Sequence, residues 1–83
     1  MRPENQIGKI EVNPEILVGK PVIAGTRIPV YLILNLLAHG YNFERIIQAY
    51  PILEKADVKA AVEYAEKRLS REEIKPLVLK TTK

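Results

Sequence analysis

Apolar residues are densest in the middle of the chain. From Val30 to Ala38, eight of nine residues are apolar or tyrosine, and only Asn35 is frankly polar. Pro29 precedes this run and suits the first turn of a helix, because its fixed φ and missing N–H cost nothing there. Gly40 can take the left-handed conformation that often follows a helix. The pattern predicts a first helix from about Pro29 to Ala38.

Two further helices are indicated by apolar positions that recur every three or four residues. Asn42 can cap the second helix, and Pro51 ends it. The third helix begins near Glu54 and ends at about Leu69, with Asp57 placed where a carboxylate can accept hydrogen bonds from free N–H groups. The apolar faces are formed by Phe43, Ile46, Ile47 and Tyr50 in the second helix, and by Val58, Ala61, Val62, Ala65 and Leu69 in the third.

Short extended segments precede the helices. Weak alternation of apolar and polar residues over 7–12 predicts one strand, and Val22–Ile23 predicts another. Gly25 is expected to have a positive φ, a conformation that glycine adopts readily. After the helices, Ser70 can cap one more turn over 71–75. We therefore expect a flexible N-terminus over 1–6, a single domain over 7–69 and a C-terminal extension over 70–83.

The first helix is apolar on every side, and such a helix must be covered on every side. Two interpretations are open. The strands and the C-terminal extension could cover the faces that the other helices leave bare. Alternatively, one face lies in a homodimer or partner interface, for which Tyr31, Leu32 and Leu36 are the candidates. A chain of 83 residues buries a small core, which favours self-association.

Composition argues against catalysis. The chain has no cysteine, which excludes disulfides and thiol chemistry, and His39 is its single histidine. No spacing typical of metal ligands or of a nucleophilic dyad is present, so we expect no enzyme activity, no metal and no cofactor. The longest apolar run is too short to cross a membrane, and the N-terminus lacks a signal-like core. The cytoplasm is the expected compartment.

The second and third helices, joined by a short turn, have the lengths of a helix-turn-helix. Arg45, Lys55 and Lys59 are the candidates for DNA contacts. The formal charge of +3 permits nucleic acid binding, but residues 54–68 contain equal numbers of acidic and basic side chains. Recognition helices usually carry more positive charge. DNA readout and a solvated outer face therefore remain equally open for the third helix.

The twelve residues from Gly19 to Val30 (GKPVIAGTRIPV) form a specific pattern that continues through Gly40-Tyr41-Asn42, Tyr50-Pro51 and residues 57–65. The pattern resembles domain-of-unknown-function family 433 (DUF433). The resemblance implies a homeodomain-like helical core. Together with the short strands and the all-apolar first helix, we expect a mainly α fold with a homeodomain-like three-helix core and a short N-terminal β-hairpin or strand pair, assembled as a homodimer. Within the pattern, Gly25, Thr26, Arg27 and Pro29 are expected to be structural, with Thr26 bonded to local backbone and Arg27 paired with a carboxylate such as Asp57.

The resemblance also implies a role as a VapB-type antitoxin that neutralises a PIN-like ribonuclease toxin. In that role the C-terminal extension would bind the toxin through Ile74, Leu77, Val78 and Leu79, as a segment that folds on binding. The alternatives are a DNA-binding helix-turn-helix regulator, which could act on its own operon, and a structural homodimer. The expected partners are thus a second copy of the chain, a PIN-like toxin and operator DNA, with no membrane.

Overall fold

The computed structural model describes residues 2–72, with side chains through Ser70. This part of the chain is mainly helical, with three α-helices and a two-stranded antiparallel sheet, as predicted. The elements are β1 (Ile10–Glu11), β2 (Val22–Ile23), α1 (Val30–Ala38), α2 (Phe43–Ala49) and α3 (Lys55–Glu72), with short 3₁₀ turns at Glu4–Gln6 and Leu17–Gly19. Within residues 2–72, no helix combines the length and the apolar character that crossing a membrane requires.

The small sheet lies directly against the helices. Ile10 pairs with Ile23 and Glu11 with Val22, and both residues of β2 are fully buried. β2 also bridges to Pro29, and the Val30 N–H donates to the Pro21 carbonyl over 2.9 Å. The sheet therefore fixes the position at which α1 begins.

The ends of α1 and α2 agree with the prediction. α1 begins immediately after Pro29 and ends at Ala38, and Gly40 follows with φ +94°. The Asn42 side chain then caps α2, because its Oδ1 accepts the Arg45 N–H over 2.9 Å. Pro29 before α1, Gly40 after α1 and the Asn42 cap of α2 together define the path of the chain between the helices.

One hydrophobic core joins the sheet to all three helices. Ile33 of α1, Ile46 of α2 and Val58 of α3 are completely buried, and Leu53 fills the turn between α2 and α3. The remaining members of the core are Ile23, Val30 and Ala61.

The structure differs from the prediction at both ends of the domain. The N-terminal residues 2–6, which we expected to be flexible, pack on the domain and are held by the Arg2 side chain. At the other end, Ser70 does not begin a new turn. Its Oγ donates to the Lys67 carbonyl inside α3, which continues to Glu72 because residues 70–72 contain no helix-breaking residue.

Candidate interaction surfaces

The helices α2 and α3 are consecutive in the described chain and are joined by a short turn. α2 ends at Ala49, the chain turns through 50–54, and α3 begins at Lys55. The turn is anchored by Leu53, which is buried and whose N–H donates to the Tyr50 carbonyl over 2.9 Å. Ile52 remains exposed. The turn is therefore tight and fixed on its inner side, while its outer side faces solvent.

The start of α3 is organised by Asp57. Both of its carboxylate oxygens are paired with Arg2, at 2.7 Å from Oδ2 to Nη1 and 3.0 Å from Oδ1 to Nη2. The same oxygens accept the Glu54 N–H over 2.7 Å and the Gly8 N–H over 2.8 Å. The contact to Glu54 is one half of a capping box, in which the third helical residue bonds back to the cap position. Asp57 thus caps α3 and ties it to the N-terminal segment.

Arg2 uses its remaining donors on three backbone carbonyls. Nε donates to Ala24 over 2.9 Å, Nη2 to Gln6 over 3.0 Å and Nη1 to Ile52 over 3.3 Å. The guanidinium therefore connects the N-terminal segment, the chain after β2, the turn between α2 and α3, and α3 itself. We call this arrangement the Arg2–Asp57 clasp.

Two opposing effects act on the pKa of Asp57. Burial raises it, while the hydrogen bond from Arg2, the N–H groups of Gly8 and Glu54, and the positive charge of Arg2 lower it; the net result is a pKa below the ordinary value. Asp57 is therefore ionised in the folded protein at neutral pH, and its charge is balanced by Arg2 within hydrogen-bond distance.

The predicted pairing of Arg27 with Asp57 is wrong. Arg27 is exposed, and Arg2 occupies the position beside the carboxylate. The expected role of Thr26 is confirmed: its hydroxyl donates to the Ile23 carbonyl over 2.7 Å and accepts the Ile28 N–H over 3.0 Å. Gly25 has the expected positive φ of +80°. A Cβ on Gly25 would overlap the Gln6 side chain, so the motif also makes room for the N-terminal segment.

The three candidate DNA-contacting residues are all exposed. Lys55 and Lys59 are one helical turn apart at the start of α3, on the same face. Arg45 lies on α2, with its guanidinium carbon 4.1 Å from the centre of the Tyr41 ring, a cation–π arrangement. Since Asp57 is buried and paired, its carboxylate is removed from the surface on which the two lysines lie.

A shallow apolar groove runs between α1 and the C-terminal half of α3, with a volume of about 360 Å³. Tyr31 and Leu69 on its walls are 59% and 64% exposed, so much of their apolar surface remains in water. The groove is lined by Lys20, Pro21, Val30, Tyr31, Leu34, Tyr64, Ala65, Arg68 and Leu69. We call it the α1–α3 groove.

Two cations stand at the rim of the groove, each beside a tyrosine. The Lys20 ammonium is 5.3 Å from the centre of the Tyr31 ring. Arg68 lies 5.6 Å from the Tyr64 ring and donates to the Tyr64 hydroxyl over 3.1 Å. Among the three predicted interface residues, only Tyr31 lines the groove. Leu36 packs against the core, and Leu32 is half-buried elsewhere on α1.

The loop before β2 has an unusual backbone. Leu17, Val18 and Gly19 all have positive φ, at 50°, 57° and 81°. A β-branched residue in this region is a clear outlier, with a cost of about 1–3 kcal/mol. Val18 is nevertheless 89% exposed, so no burial of its side chain offsets the strain.

Sequence reasoning missed two of these features. Nothing in the sequence linked Arg2 to Asp57, 55 residues away. The loop had a detectable signal, since an aliphatic pair directly before Gly19 is uncommon for a surface turn. The predicted toxin-binding residues Ile74, Leu77, Val78 and Leu79 lie outside the described residues.

Comparison with known proteins gives consistent matches. The family model described as "Protein of unknown function (DUF433)" matches residues 10–65. The uncharacterized protein y4eO of Sinorhizobium fredii is 43% identical over 54 residues, which are 65% of this chain and 24% of that protein. A crystal structure of a DUF433 member protein from Anabaena variabilis superposes with a TM-score of 0.69 at 29% identity, covering 75% of this chain and 61% of that one. The chain thus spans about a quarter of the first relative and under two thirds of the second.

Proposed function

The chain belongs to the DUF433 family, and on that premise we propose that it is a non-enzymatic, antitoxin-like binding protein of the cytoplasm. In this proposal α1, α2 and α3 form a homeodomain-like core that binds operator DNA. The C-terminal extension over 70–83 binds a PIN-like ribonuclease. The two activities coexist in one chain, each on its own surface.

The observation that supports DNA binding best is the state of Asp57. In a count of charges along the sequence, the negative charge of Asp57 offsets the positive charge of one lysine of α3. In the structure it is buried, accepts four hydrogen bonds and is paired with Arg2. Lys55 and Lys59 are therefore exposed on the first two turns of α3 without that carboxylate beside them.

In the proposed complex the N-terminal turns of α3 enter the major groove, as in other helix-turn-helix proteins. Lys55 and Lys59 would neutralise phosphates or contact base edges, and Arg45 on α2 would contact the adjacent backbone. The Arg2–Asp57 clasp would hold the turn and α3 at a fixed angle, since Arg2 bonds both Ile52 and Asp57.

DNA binding is tested with the segment upstream of the protein's own coding region. We expect specific binding with a Kd of about 10⁻⁸ M at physiological salt. The double variant Lys55→Ala/Lys59→Ala should weaken binding at least about tenfold. A matched control, Lys9→Ala/Lys67→Ala, removes the same charge from exposed positions outside this surface and should have a smaller effect. Equal affinity for the upstream segment and for random duplex would refute the proposal.

Toxin binding rests on the family resemblance and on the apolar residues Ile74, Leu77, Val78 and Leu79 of the extension. A segment of this composition can add to a sheet edge or fill a groove of the toxin. The test is co-purification with a PIN-like protein encoded next to this chain. Deletion of residues 74–83 should abolish capture, whereas Thr81→Ala/Thr82→Ala should not. Unchanged capture by the deletion variant would exclude the extension as the binding segment.

A further inference from the structure

Two exposed apolar features lie close together on the surface. One is the α1–α3 groove. The other is the pair Leu17 and Val18 on the loop before β2, which we call the aliphatic knob. Val18 is two residues before Lys20, which lines the groove, so their Cα atoms are separated by at most about 7 Å. The high exposure of Val18 shows that the knob does not fill the groove of its own chain.

We propose that the groove is occupied by a second copy of the chain, with the knob of each copy seated in the groove of the other. The knob offers two aliphatic side chains, and the groove offers an apolar surface formed by Val30, Leu34, Ala65 and Leu69. Burial of both in the same contact removes from water Val18 and Leu69, the two most exposed large hydrophobic side chains among the described residues. The strained loop is then explained, because it holds Val18 outward for the partner copy.

Charge complementarity supports a second copy as the occupant. Glu15 is exposed and lies three residues before Val18, on the knob side of the contact. Lys20 and Arg68 stand at the rim of the groove. A knob that enters the partner's groove therefore brings the Glu15 carboxylate towards Arg68 of the other copy, whereas Lys20, two residues from Val18, lies at the boundary between knob and groove in each copy. Complementary charges at the edge of an apolar contact fix its orientation.

The closeness of the two features permits a two-fold arrangement of the copies. When a projection and its seat lie side by side on one surface, two copies can exchange them about a two-fold axis. Such an interface is closed, so association stops at the dimer. A head-to-tail contact, in which the two features meet without a two-fold axis, would instead produce rings or open filaments.

Sedimentation of the full chain over a range of concentrations tests this dimer. We expect a monomer–dimer equilibrium with no larger species up to about 100 µM, corresponding to a dissociation constant in the micromolar range. Val18→Asp in the knob and Tyr31→Asp in the groove should each raise the dissociation constant at least about tenfold. Ile52→Asp is the control, because this exposed side chain lies at the opposite end of α3 from the groove.

A structural role of Val18 is separated from the interface role by Val18→Gly. Glycine tolerates the φ of 57°, so the folded monomer should be as stable as the wild type or more stable. The dimer should nevertheless weaken, because the side chain that enters the groove is gone. Loss of folding stability in this variant, or an unchanged dissociation constant, would contradict the proposal.

A charge exchange tests the reciprocal geometry. Glu15→Lys and Arg68→Glu should each weaken the homodimer, since like charges then face each other at both contacts. An equimolar mixture of the two variants restores opposite charges at both contacts, and it should dimerise more tightly than either variant alone. Absence of this recovery would refute the knob-in-groove arrangement. The wild type remaining monomeric up to about 100 µM would refute the dimer itself.

This inference is independent of the proposed function. Val18, Tyr31 and Glu15 are not among the proposed DNA-contacting residues or the toxin-binding extension. Failure of the dimer test would leave DNA and toxin binding open, and failure of those assays would leave the sedimentation result standing.

Discussion

At the scale of single residues, Asp57 is the charged residue that is buried within the described part of the chain, and its carboxylate accepts four hydrogen bonds. It is fully buried, and it links α3 to the N-terminal segment through Arg2 and Gly8. A buried pair of this kind contributes less than its distances suggest, because both charges lose their hydration. Removal of one partner is strongly destabilising, since the other charge is then left buried without compensation.

We predict that Asp57→Asn lowers the free energy of unfolding by about 3–5 kcal/mol at neutral pH, because Arg2 is left without its counter-charge. Denaturant unfolding measures the change. Glu66→Gln is the control, as this carboxylate is exposed, and its effect should remain within about 0.5 kcal/mol. Equal effects of the two substitutions would contradict the structure.

The pH dependence of stability gives a second readout of the same pair. The pKa of Asp57 is lower in the folded protein than in the unfolded chain. Its stabilisation is therefore fully present above the unfolded pKa, and it is lost as the pH falls from about 4 through the folded pKa. Unfolding curves between about pH 7 and pH 2 should show a steeper acid loss for the wild type than for Asp57→Asn.

Gly25 is the second residue whose identity is dictated by its surroundings. It combines a φ of +80° with the close approach of Gln6, whereas Gly40 has a φ of +94° and open space around it. We predict that Gly25→Ala costs more than the about 1 kcal/mol expected for Gly40→Ala. Thermal unfolding of both variants measures the difference.

A double variant identifies the source of the extra cost. Gln6→Ala removes the amide group that a Cβ on Gly25 would overlap. In that background the effect of Gly25→Ala should fall towards that of Gly40→Ala. If the two costs already match in the wild-type background, Gln6 does not pack against Gly25.

At the scale of elements, α2 is the shortest of the three α-helices, and Asn42 caps its first turn. Asn42→Ala removes the acceptor of the Arg45 N–H, so we predict a loss of about 1 kcal/mol in unfolding free energy. Asn35→Ala is the matched control, because Asn35 lies in the interior of α1 and is exposed. There alanine is the better helix former, and the effect should be neutral or slightly stabilising.

The helices were predictable because their signals are local. Pro29, Gly40 and Asn42 act on the residues next to them, so both ends of α1 and the start of α2 could be derived from a few neighbouring positions. The same holds for Thr26, whose bonds reach only three residues back and two residues forward. Ser70 shows the limit of local signals, since a serine that could cap a helix lies instead inside one.

Contacts between distant segments were not predictable in this way. Arg27 directly follows the Gly25-Thr26 turn of the motif and Arg2 lies far from it in sequence, yet Arg2 is the residue that reaches Asp57. Several arginines could satisfy one carboxylate, and only the packing of the chain decides among them. The α1–α3 groove is intermediate: the apolar character of α1 predicted bare surface, but the position of the groove required α3.

At the scale of the whole molecule, the distribution of charge matters more than its sum of +3. If Lys55 and Lys59 bind phosphates, each displaces about one condensed counterion from DNA. We predict that Lys55→Ala/Lys59→Ala reduces the slope of log K against log salt concentration by about 2 per bound copy. The Lys9→Ala/Lys67→Ala control should leave the slope nearly unchanged.

Titration of DNA binding at several salt concentrations measures these slopes. A protein that binds through nonspecific attraction over its whole surface would lose the same slope in both double variants. Such a result would assign DNA binding to net charge and not to α3.

The Arg2–Asp57 clasp has a consequence for the order of folding. The helices are stabilised by contacts near in sequence, which can form early, whereas the clasp closes a loop of 55 residues. Such a contact is expected to be absent from the transition state. Loss of the Arg2 side chain should then leave the rate of folding almost unchanged and accelerate unfolding. The clasp thus slows unfolding, and it sets the lifetime of the folded domain without setting the speed at which the domain forms.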